Sequence, residues 1–388
     1  MPASPSTARV INDRLALRLL QQEGPLTAGQ LKTMTGLSRP TVADLVERLQ
    51  GSGLIQVVGE AGAERRGPNA RLYGIVADRA HLAALDVRTR SVGVVVADLL
   101  GVTLAEASLP IGSDTDTEPA VERAAALLER TAQEAGARRL HSVGIGAPGL
   151  IDPVTGELRD TTGLPAWHRR LVAALQERLP ARVVVENETN LAALAEQRAG
   201  VARDRDTFVF LWLGHGVGAA LFLDGRLRRG ASGGAGEIGF LPVPGVPGTP
   251  SASDCEGGFH SLAGSAAICA LAAEHGIRAE GPEPKAAQAV REAVAAGRSD
   301  FLDALAQRLA LGVAAVAAIL DPGCVVLGGE VGHAGGAEVA SRVEARLSEL
   351  SPLRTEVRAG ALGGAAVLSG ALITARETAQ NELFAART

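Results

Sequence analysis

The sequence has few cysteines, few aromatic residues and no long uninterrupted apolar segment. Its 388 residues include three cysteines, Cys255, Cys269 and Cys324, which are widely spaced and form no C-x-x-C pair. This spacing excludes a disulfide framework. No basic and apolar leader opens the chain, and even the run LALGVAAVAAIL is too short to span a membrane. We therefore expect a cytoplasmic protein without a membrane segment.

Hydrophobic residues are plentiful, and charge is unevenly distributed. With 46% hydrophobic residues, a chain of this length can bury a large core and is expected to form two or three domains. Residues 1–75 carry nine Arg or Lys and six Asp or Glu, whereas the whole chain has a net charge of −5. A basic N-terminal part on an acidic remainder is typical of a nucleic-acid-binding module joined to another domain.

Residues 9–75 predict three short helices followed by two strands. The segment RVINDRLALRLLQQEG places Val10, Leu15, Leu19 and Leu20 on one helical face, after a tail that we expect to be disordered over residues 1–8. Thr27 is a plausible N-cap of the second helix, which breaks at Gly36, and Ser38 caps the third helix, with Pro40 in its first turn. The expected buried stripe of the third helix consists of Val42, Leu45, Val46 and Leu49.

This order of elements and the tight turn MTGLS predict a winged helix-turn-helix that reads DNA. We predict DNA contacts from Thr27, Ser38, Arg39 and Thr41 in the helices and from Arg65 and Arg66 in the wing loop. The alternative is a helical bundle for dimerisation in which Ser-Arg-Pro acts only as a cap. The agreement of cap, turn and arginine-bearing wing favours DNA binding.

From about His81 onward, apolar strands alternate with helices, which predicts an α/β body with mixed sheets. Several of its segments, in order, resemble the ROK family of repressors, open reading frames and kinases: LDVRTRSVGVVVADLLG, GIGAPGLID, LPAW, VENETNLAALAE, LGHGVGAALFLDGRLRRGASGGAGEIGF and VVLGGE. The resemblance covers about residues 79–388 and implies a two-lobed actin-like, ribonuclease H-like sugar-kinase fold behind the N-terminal winged helix-turn-helix. It also implies a regulator, because the family's kinases lack that DNA-binding domain.

The first hairpin departs from the family's kinases, which hold ATP phosphates with Asp-x-Gly-Gly-Thr-Lys. Asp86 is kept, but Arg88 and Thr89 stand in place of the glycines. Backbone N–H groups must approach the phosphates closely, and side chains obstruct this approach. We therefore expect the hairpin to be structural, with neither Arg88 nor Arg90 making it a phosphate loop.

Two further nucleotide motifs are only partly kept. The turn LGHGVG retains Gly214, Gly216 and Gly218, although a glycine-rich turn between strands needs no ligand. In LGGE, Glu330 stands where the kinases usually have another glycine, and an acid facing the cleft would repel a nucleotide. No cofactor is expected.

The resemblance also implies sugar-binding positions. Asn187 is kept, and Glu188 stands where the kinases have the aspartate that accepts the proton of the sugar hydroxyl. An extra methylene shifts a carboxylate by about an ångström, enough to cost roughly 10²-fold in catalysis, although Glu188 can still accept a hydroxyl hydrogen bond. Residues 187–190 can equally serve as a helix N-terminus capped by polar side chains, and both roles are compatible.

Glu237 matches a sugar-binding glutamate of the family, and a buried carboxylate suits sugar hydroxyls. Phe240 replaces a family histidine, His260 falls where a sugar-binding glutamate is usual, and Gly163 falls where asparagine is common. We predict ligand contacts from Asn187, Glu188, Glu237 and His260. The family's zinc site needs a histidine and three cysteines, but this segment offers only Cys255 and His260, so we expect no metal.

Three functions remain open from the sequence. The favoured one is a DNA-binding repressor, a homodimer or homotetramer with a sugar effector, and it is not an enzyme. A ROK sugar kinase with an added head is the second, and a regulator whose body is a ligand-free dimerisation scaffold is the third.

Overall fold

The computed structural model describes residues 5–61, 70–112, 115–159, 165–251, 256–278 and 285–384. The N-terminal part forms α1 (Pro5–Glu23), β1 (Leu26–Thr27), α2 (Ala28–Thr35), α3 (Arg39–Gly51), β2 (Ile55–Ala61) and β3 (Ala70–Ile75). Its strands pair antiparallel in the order β1-β3-β2. The predicted two-stranded wing is therefore part of a three-stranded sheet, because the short strand before α2 adds to its edge.

The local signals of the helix-turn-helix are confirmed. Thr27 caps α2 in a capping box, accepting a hydrogen bond from the Gln30 backbone N–H at 3.2 Å while the Gln30 side chain accepts one from the Thr27 N–H at 2.8 Å. Ser38 caps α3, and Pro40 occupies its first turn. The four predicted residues of the α3 stripe are all buried.

The first helix differs from its prediction in start and in buried face. It begins at Pro5, within the segment expected to be disordered. Its buried residues are Ala16, Leu17 and Leu20, whereas Leu15 is exposed. The predicted Leu20 is thus buried, with Leu19 half-buried beside it, and Leu17 joins them against α2, α3 and the end of the last helix.

The body begins with a five-stranded sheet of order β6-β5-β4-β7-β8. The elements of this first lobe are β4 (His81–Arg88), β5 (Ser91–Asp98), β6 (Thr103–Pro110), α4 (Thr117–Glu134), β7 (Leu140–Ala147), α5 (Ala166–Arg178), β8 (Arg182–Asn187) and α6 (Glu188–Ala199). Strands β4, β7 and β8 are mutually parallel, and β4, β5 and β6 form an antiparallel meander.

A second five-stranded sheet has the order β11-β10-β9-β12-β13. Its lobe contains β9 (Phe208–Leu213), β10 (Val217–Leu223), β11 (Arg226–Arg228), α7 (His260–Ala263), α8 (Ser265–Glu274), α9 (Lys285–Ala295), α10 (Ser299–Leu320), β12 (Cys324–Gly328), α11 (Gly329–Leu350), β13 (Glu356–Ala359) and α12 (Ala366–Leu383). Helices α7 and α8 are separated at Gly264.

The two sheets enclose α6 and α12, so the body has five layers. Helices α4 and α5 cover the outer face of the first sheet, and α7 to α11 cover the outer face of the second. Apolar side chains of both sheets, α6 and α12 form the central core. Each layer covers the apolar face of its neighbour, and this sandwich arrangement buries the apolar faces of both sheets.

Helix α12 connects this central core with the N-terminal domain. Ala366, Val367 and Ala371 lie between the two sheets, whereas Ala379 and Phe384 belong to the core of the helix-turn-helix. At 1.5 Å per residue, the 18 residues of α12 span about 27 Å. One rigid element thus reaches from between the lobes into the DNA-binding head.

Helix α10 is the one described helix long and apolar enough to cross a membrane by length and composition. The helix contains Asp300, Asp303 and Arg308, so the chain still has no uninterrupted apolar run of about eighteen residues there. Phe301, Leu305, Leu309 and Val313 of α10 are fully buried in the core of the second lobe. The helix is apolar because it packs inside the core of the second lobe.

Candidate DNA-binding head and ligand cleft

The N-terminus of α3 presents polar side chains on the surface of the head. Arg39 is exposed and makes no ion pair with any residue that the structure describes. The Ser38 and Thr41 hydroxyls lie 2.8 Å apart, and Ser38 also accepts a hydrogen bond from the Thr41 N–H. Ser38 and Thr27 therefore act as helix caps, and Arg39 is the unengaged cation of this surface. Arg65 and Arg66 lie outside the described residues.

Arg88 occupies the first hairpin as the centre of an ion-pair cluster. Strands β4 and β5 pair up to Arg88 and Ser91, leaving a two-residue turn. The Arg88 Nε donates to Asp86 Oδ2 at 2.7 Å, and its Nη1 donates to Glu330 Oε1 at 3.1 Å. Its Nη2 donates to the Gly364 carbonyl at 3.2 Å. We call Asp86, Arg88 and Glu330 the interlobe clasp, because Asp86 and Arg88 belong to the first sheet and Glu330 begins α11 of the second lobe.

Glu330 also fills space beside the glycine-rich turn. A Cβ built on Gly214 would lie 2.6 Å from Glu330 Oε2 and 2.8 Å from Trp212 Nε1. A side chain at position 214 would therefore displace the Glu330 carboxylate or the Trp212 ring. The other two glycines of the turn have no such crowding: Gly216 has nothing within 4 Å, and Gly218 only the Thr189 hydroxyl at 3.4 Å.

The clasp and Glu188 form a cluster with an excess of carboxyl groups. Burial of Glu188, together with the charges of Asp86 and Glu330, raises the pKa of its carboxyl to about 8, against the pull of Arg88. Burial also raises the pKa of Asp86, again against Arg88. One arginine thus faces three carboxyl groups, and with a pKa of about 8 Glu188 is mostly protonated at neutral pH.

Asn187 caps α6 and is held in place on both sides. Its Oδ1 accepts from the Thr189 N–H at 2.8 Å, and its Nδ2 donates to the Gly149 carbonyl at 3.0 Å. The buried Glu186 accepts hydrogen bonds from Asn190 Nδ2 at 2.9 Å and Arg229 Nε at 2.5 Å. The capping role is confirmed. Glu186 was missed in the sequence, since its partners lie on α6 and on the segment after β11.

The other two predicted ligand residues, Glu237 and His260, lie on other segments of the chain. Glu237 precedes the turn Ile238–Phe240; the residue as a whole is exposed, although desolvation of its carboxyl raises its pKa. His260 begins α7, and burial with the nearby His215 lowers its pKa. No hydrogen bond or ion pair joins Glu237 or His260 to Asn187 or Glu188 within the described ranges. Phe240 is exposed, and Gly163 lies outside the described residues.

A metal site finds no support among the residues that the structure describes. No group of three or more His, Cys, Asp or Glu side chains there is arranged to hold a metal ion. Cys255 lies outside these residues, so the expected absence of zinc stays a prediction.

Comparison with known proteins agrees with this architecture. A winged helix-turn-helix fused to a two-lobed sugar-kinase-like body defines a class of transcriptional regulators. Residues 82–378 match the ROK family, and residues 12–66 match the MarR family. The chain belongs to the ROK family and carries a MarR-like DNA-binding domain at its N-terminus.

Its relatives include both repressors and kinases. The chain is 23% identical over 340 residues to the xylose repressor of Caldicellulosiruptor bescii, covering 84% of each chain. It is 39% identical over 206 residues to the bifunctional enzyme NanE/NanK of Brucella suis, covering 52% of this chain but only 35% of the enzyme. A crystal structure of a ROK family transcriptional regulator, described as a homologue of the E. coli MLC protein, has the same fold, with a TM-score of 0.76 at 22% identity over 97% of this chain and 98% of that chain.

Proposed function

We propose that this protein is a transcriptional repressor that binds a sugar or sugar derivative in its cleft and transfers no phosphate. The interlobe clasp is the observation that carries the proposal. Arg88 and Glu330 take the space of the family's phosphate hairpin and adenosine-side motif, and Arg88 already has three partners. A nucleotide would have to break these contacts and bring its charge beside Glu330 and Asp86.

The head, over residues 9–75, reads operator DNA in this proposal, and the body, over residues 79–388, senses the ligand. Arg39 is the main base-reading residue because it is exposed at the N-terminus of α3, the end of a recognition helix that contacts base edges. Ser38, Thr41 and Thr27 position the helices and contact the DNA backbone, and Arg65 and Arg66 grip it from the wing. A cytoplasmic homodimer or homotetramer presents paired recognition helices to two half-sites.

On the ligand side, Asn187, Glu188, Glu237 and His260 supply hydrogen bonds to sugar hydroxyls. A protonated Glu188 can donate one hydrogen bond and accept another, which suits a hydroxyl. Ligand binding changes the angle between the lobes. Because α12 runs from the central core into the core of the head, a change at its N-terminal end moves the head.

A band-shift experiment with the DNA upstream of the protein's own gene tests DNA reading. At physiological salt we expect binding at least about 10³-fold tighter than to random DNA. Arg39→Gln should weaken specific binding by about tenfold or more, since a bidentate arginine–guanine contact contributes about 1–3 kcal/mol. Arg130→Gln, at an exposed site on α4, is the matched control. Equal binding of upstream and random DNA would contradict the proposal.

A sugar kinase with a regulatory head is the second candidate, favoured by the partial match to NanE/NanK and by the retained Asp86. A coupled ADP-release assay with hexoses and amino sugars separates the two, and clear turnover would support the kinase.

A ligand-free scaffold is the third candidate. Thermal-shift screening with sugars addresses it, because a ligand at 100 times its dissociation constant adds about 2.7 kcal/mol of stability. No shift with any sugar of a broad panel would favour the scaffold.

A further inference from the structure

A large polar groove lies between the head and the body, away from the cleft. Its cavity of about 890 Å³ is lined by α1 of the head, by α6 and the residues after it, and by α12. We call it the junction groove. Its charged lining residues are Arg14, Arg18, Arg198, Arg203, Arg376 and Glu377. Five arginines against one glutamate give this groove a net charge of +4, in a chain whose total is −5.

Most of this positive charge is not neutralised by the protein. Arg198 Nη2 lies 3.2 Å from Glu377, which is the only ion pair among these residues in the described part of the chain. Arg18 and Arg203 are exposed, and neither has an ion pair or side-chain hydrogen bond with any described residue. The two form opposite sides of the junction, because Arg18 lies on α1 of the head and Arg203 follows α6 of the body.

The other two arginines are anchored by backbone carbonyls, which leaves their charge unpaired. Arg14 Nε donates to the Phe384 carbonyl at 3.2 Å, and Arg376 Nη1 donates to the Leu100 carbonyl at 3.2 Å. The Nε of Arg376 is buried, with no hydrogen-bond partner among the described residues. Burial lowers the pKa of Arg376, and the like charge of Arg198 adds to this effect against the pull of Glu377. An anion in the groove would relieve the repulsion between these arginines.

The rest of the lining fits a small ligand better than a polymer. Gln21, Gln22 and Asn381 add amide groups that hydrogen-bond hydroxyls as well as phosphate oxygens. The cavity volume lies within the range of small-molecule sites, about 300–1,000 Å³. Guanidinium groups match phosphate oxygens in charge and in geometry. Three of the five arginines belong to the body and two to the head, so the groove is a recess between the two domains. The phosphates of a DNA duplex, by contrast, lie on a convex surface.

We propose that the junction groove binds a phosphate-bearing small metabolite, which bridges the head and the body. Bridging Arg18 of α1 and Arg203 of the body fixes the angle between the two domains. The protein then has two inputs: a sugar in the cleft and a phosphorylated compound at the junction. This second site stands independently of the first, because it shares no lining residue with the cleft.

The test is isothermal titration of the full chain with inorganic pyrophosphate and with glucose 6-phosphate, at constant ionic strength. Glucose serves as the uncharged counterpart of the sugar phosphate. We expect both anions to bind, and the double variant Arg18→Gln/Arg203→Gln to weaken both by about tenfold or more, since two charge-assisted contacts are lost. The matched control, Arg130→Gln/Arg291→Gln, removes two exposed arginines elsewhere in the body and should bind both anions as wild type does.

Three results would overturn the proposal. The first is no binding of either anion at about 10 mM, well above a useful affinity for a regulatory site. The second is equal binding by the groove variant and the wild type, which would assign the anion to another site, the cleft included. The third is weakened binding of random-sequence DNA by the groove variant without any anion binding, which would make the groove a DNA-backbone contact.

Discussion

Replacement of Arg88 by glutamine removes the cation of the interlobe clasp and leaves its carboxylates without a partner. The Asp86 side chain is 5% exposed, so its charge then has almost no access to water. Removing one partner of a buried ion pair typically costs about 3–5 kcal/mol. Because the Arg88 side chain is 32% exposed, we expect a smaller loss, about 2–3 kcal/mol of unfolding free energy at pH 7.

Urea unfolding followed by tryptophan fluorescence measures this loss. Trp167 lies in the first lobe and Trp212 in the second, and both are buried, so the signal reports on both lobes. The matched control is Arg90→Gln in the same hairpin, because Arg90 is exposed and has no ion pair with any described residue. The loss should shrink as the pH falls, because burial raises the pKa of Asp86 and its protonation removes the unpaired charge.

An Arg88→Gln variant as stable as Arg90→Gln would refute the clasp. The double replacement Asp86→Asn/Arg88→Gln sharpens the test, since it removes the charge and its partner together. We expect it to lose less stability than Arg88→Gln alone. A double variant that loses the sum of both single losses would also contradict the account.

Three further predictions concern buried groups. Glu188→Gln should stabilise the protein by up to about 3 kcal/mol at pH 7 and by little near pH 4. The reason is that a folded pKa raised from 4.5 to about 8 makes the stability of the wild type fall as the pH rises through that interval. Parallel pH–stability curves for variant and wild type would contradict this. Burial lowers the pKa of the fully buried His168 to about 4, so the wild type should lose about 2 kcal/mol between pH 6.5 and pH 5, where the unfolded chain takes up a proton that the folded chain does not. His168→Gln should remove this part of the pH dependence in urea titrations, whatever its effect on absolute stability, and an unchanged slope would count against it. Gly370→Ala places a Cβ 2.0 Å from the Leu191 carbonyl oxygen where α12 crosses α6. Because the backbone of Leu191 cannot move away easily, we expect a loss of about 1–3 kcal/mol of unfolding free energy in the same assay. A gain in stability from alanine, the better helix former, would show that the two helices separate freely.

Features encoded by neighbouring residues could be predicted from the sequence. The caps Thr27 and Ser38 and the buried stripe of α3 depend on contacts within one turn or on one helical period, and all are confirmed. The face of α1 was predicted only in part: Leu20 is buried but Leu15 is exposed, because α12 and the second and third helices together decide which side is covered. Periodicity alone offered two stripes with similar content.

Elements of weak or unusual composition were missed. Strand β6 is half exposed and alternates polar with small residues, and α11 opens with four glycines in eight residues. Neither has the apolar pattern on which sequence-based prediction depends. Helix α12 was missed as well, although its small residues are what allow it to lie between α6 and the first sheet.

Only one part of the interlobe clasp could be predicted from the sequence. The loss of the hairpin glycines could be identified from Arg88 and Thr89, but the partner of Arg88 could not. Glu330 is 242 residues away, and only the packing of α11 against the second sheet brings it to the hairpin. The same holds for Glu188, whose proton depends on charges from three separate segments.

The most direct test of a sugar-responsive repressor without ATP chemistry is operator binding measured with and without sugars. Fluorescence anisotropy of labelled upstream DNA, at one fixed salt concentration, gives the apparent dissociation constant for each sugar of a panel. We predict that at least one sugar changes this constant by about tenfold or more without ATP, and that Glu188→Ala reduces the change. If no sugar changes DNA affinity, or if the change requires ATP, the account is contradicted.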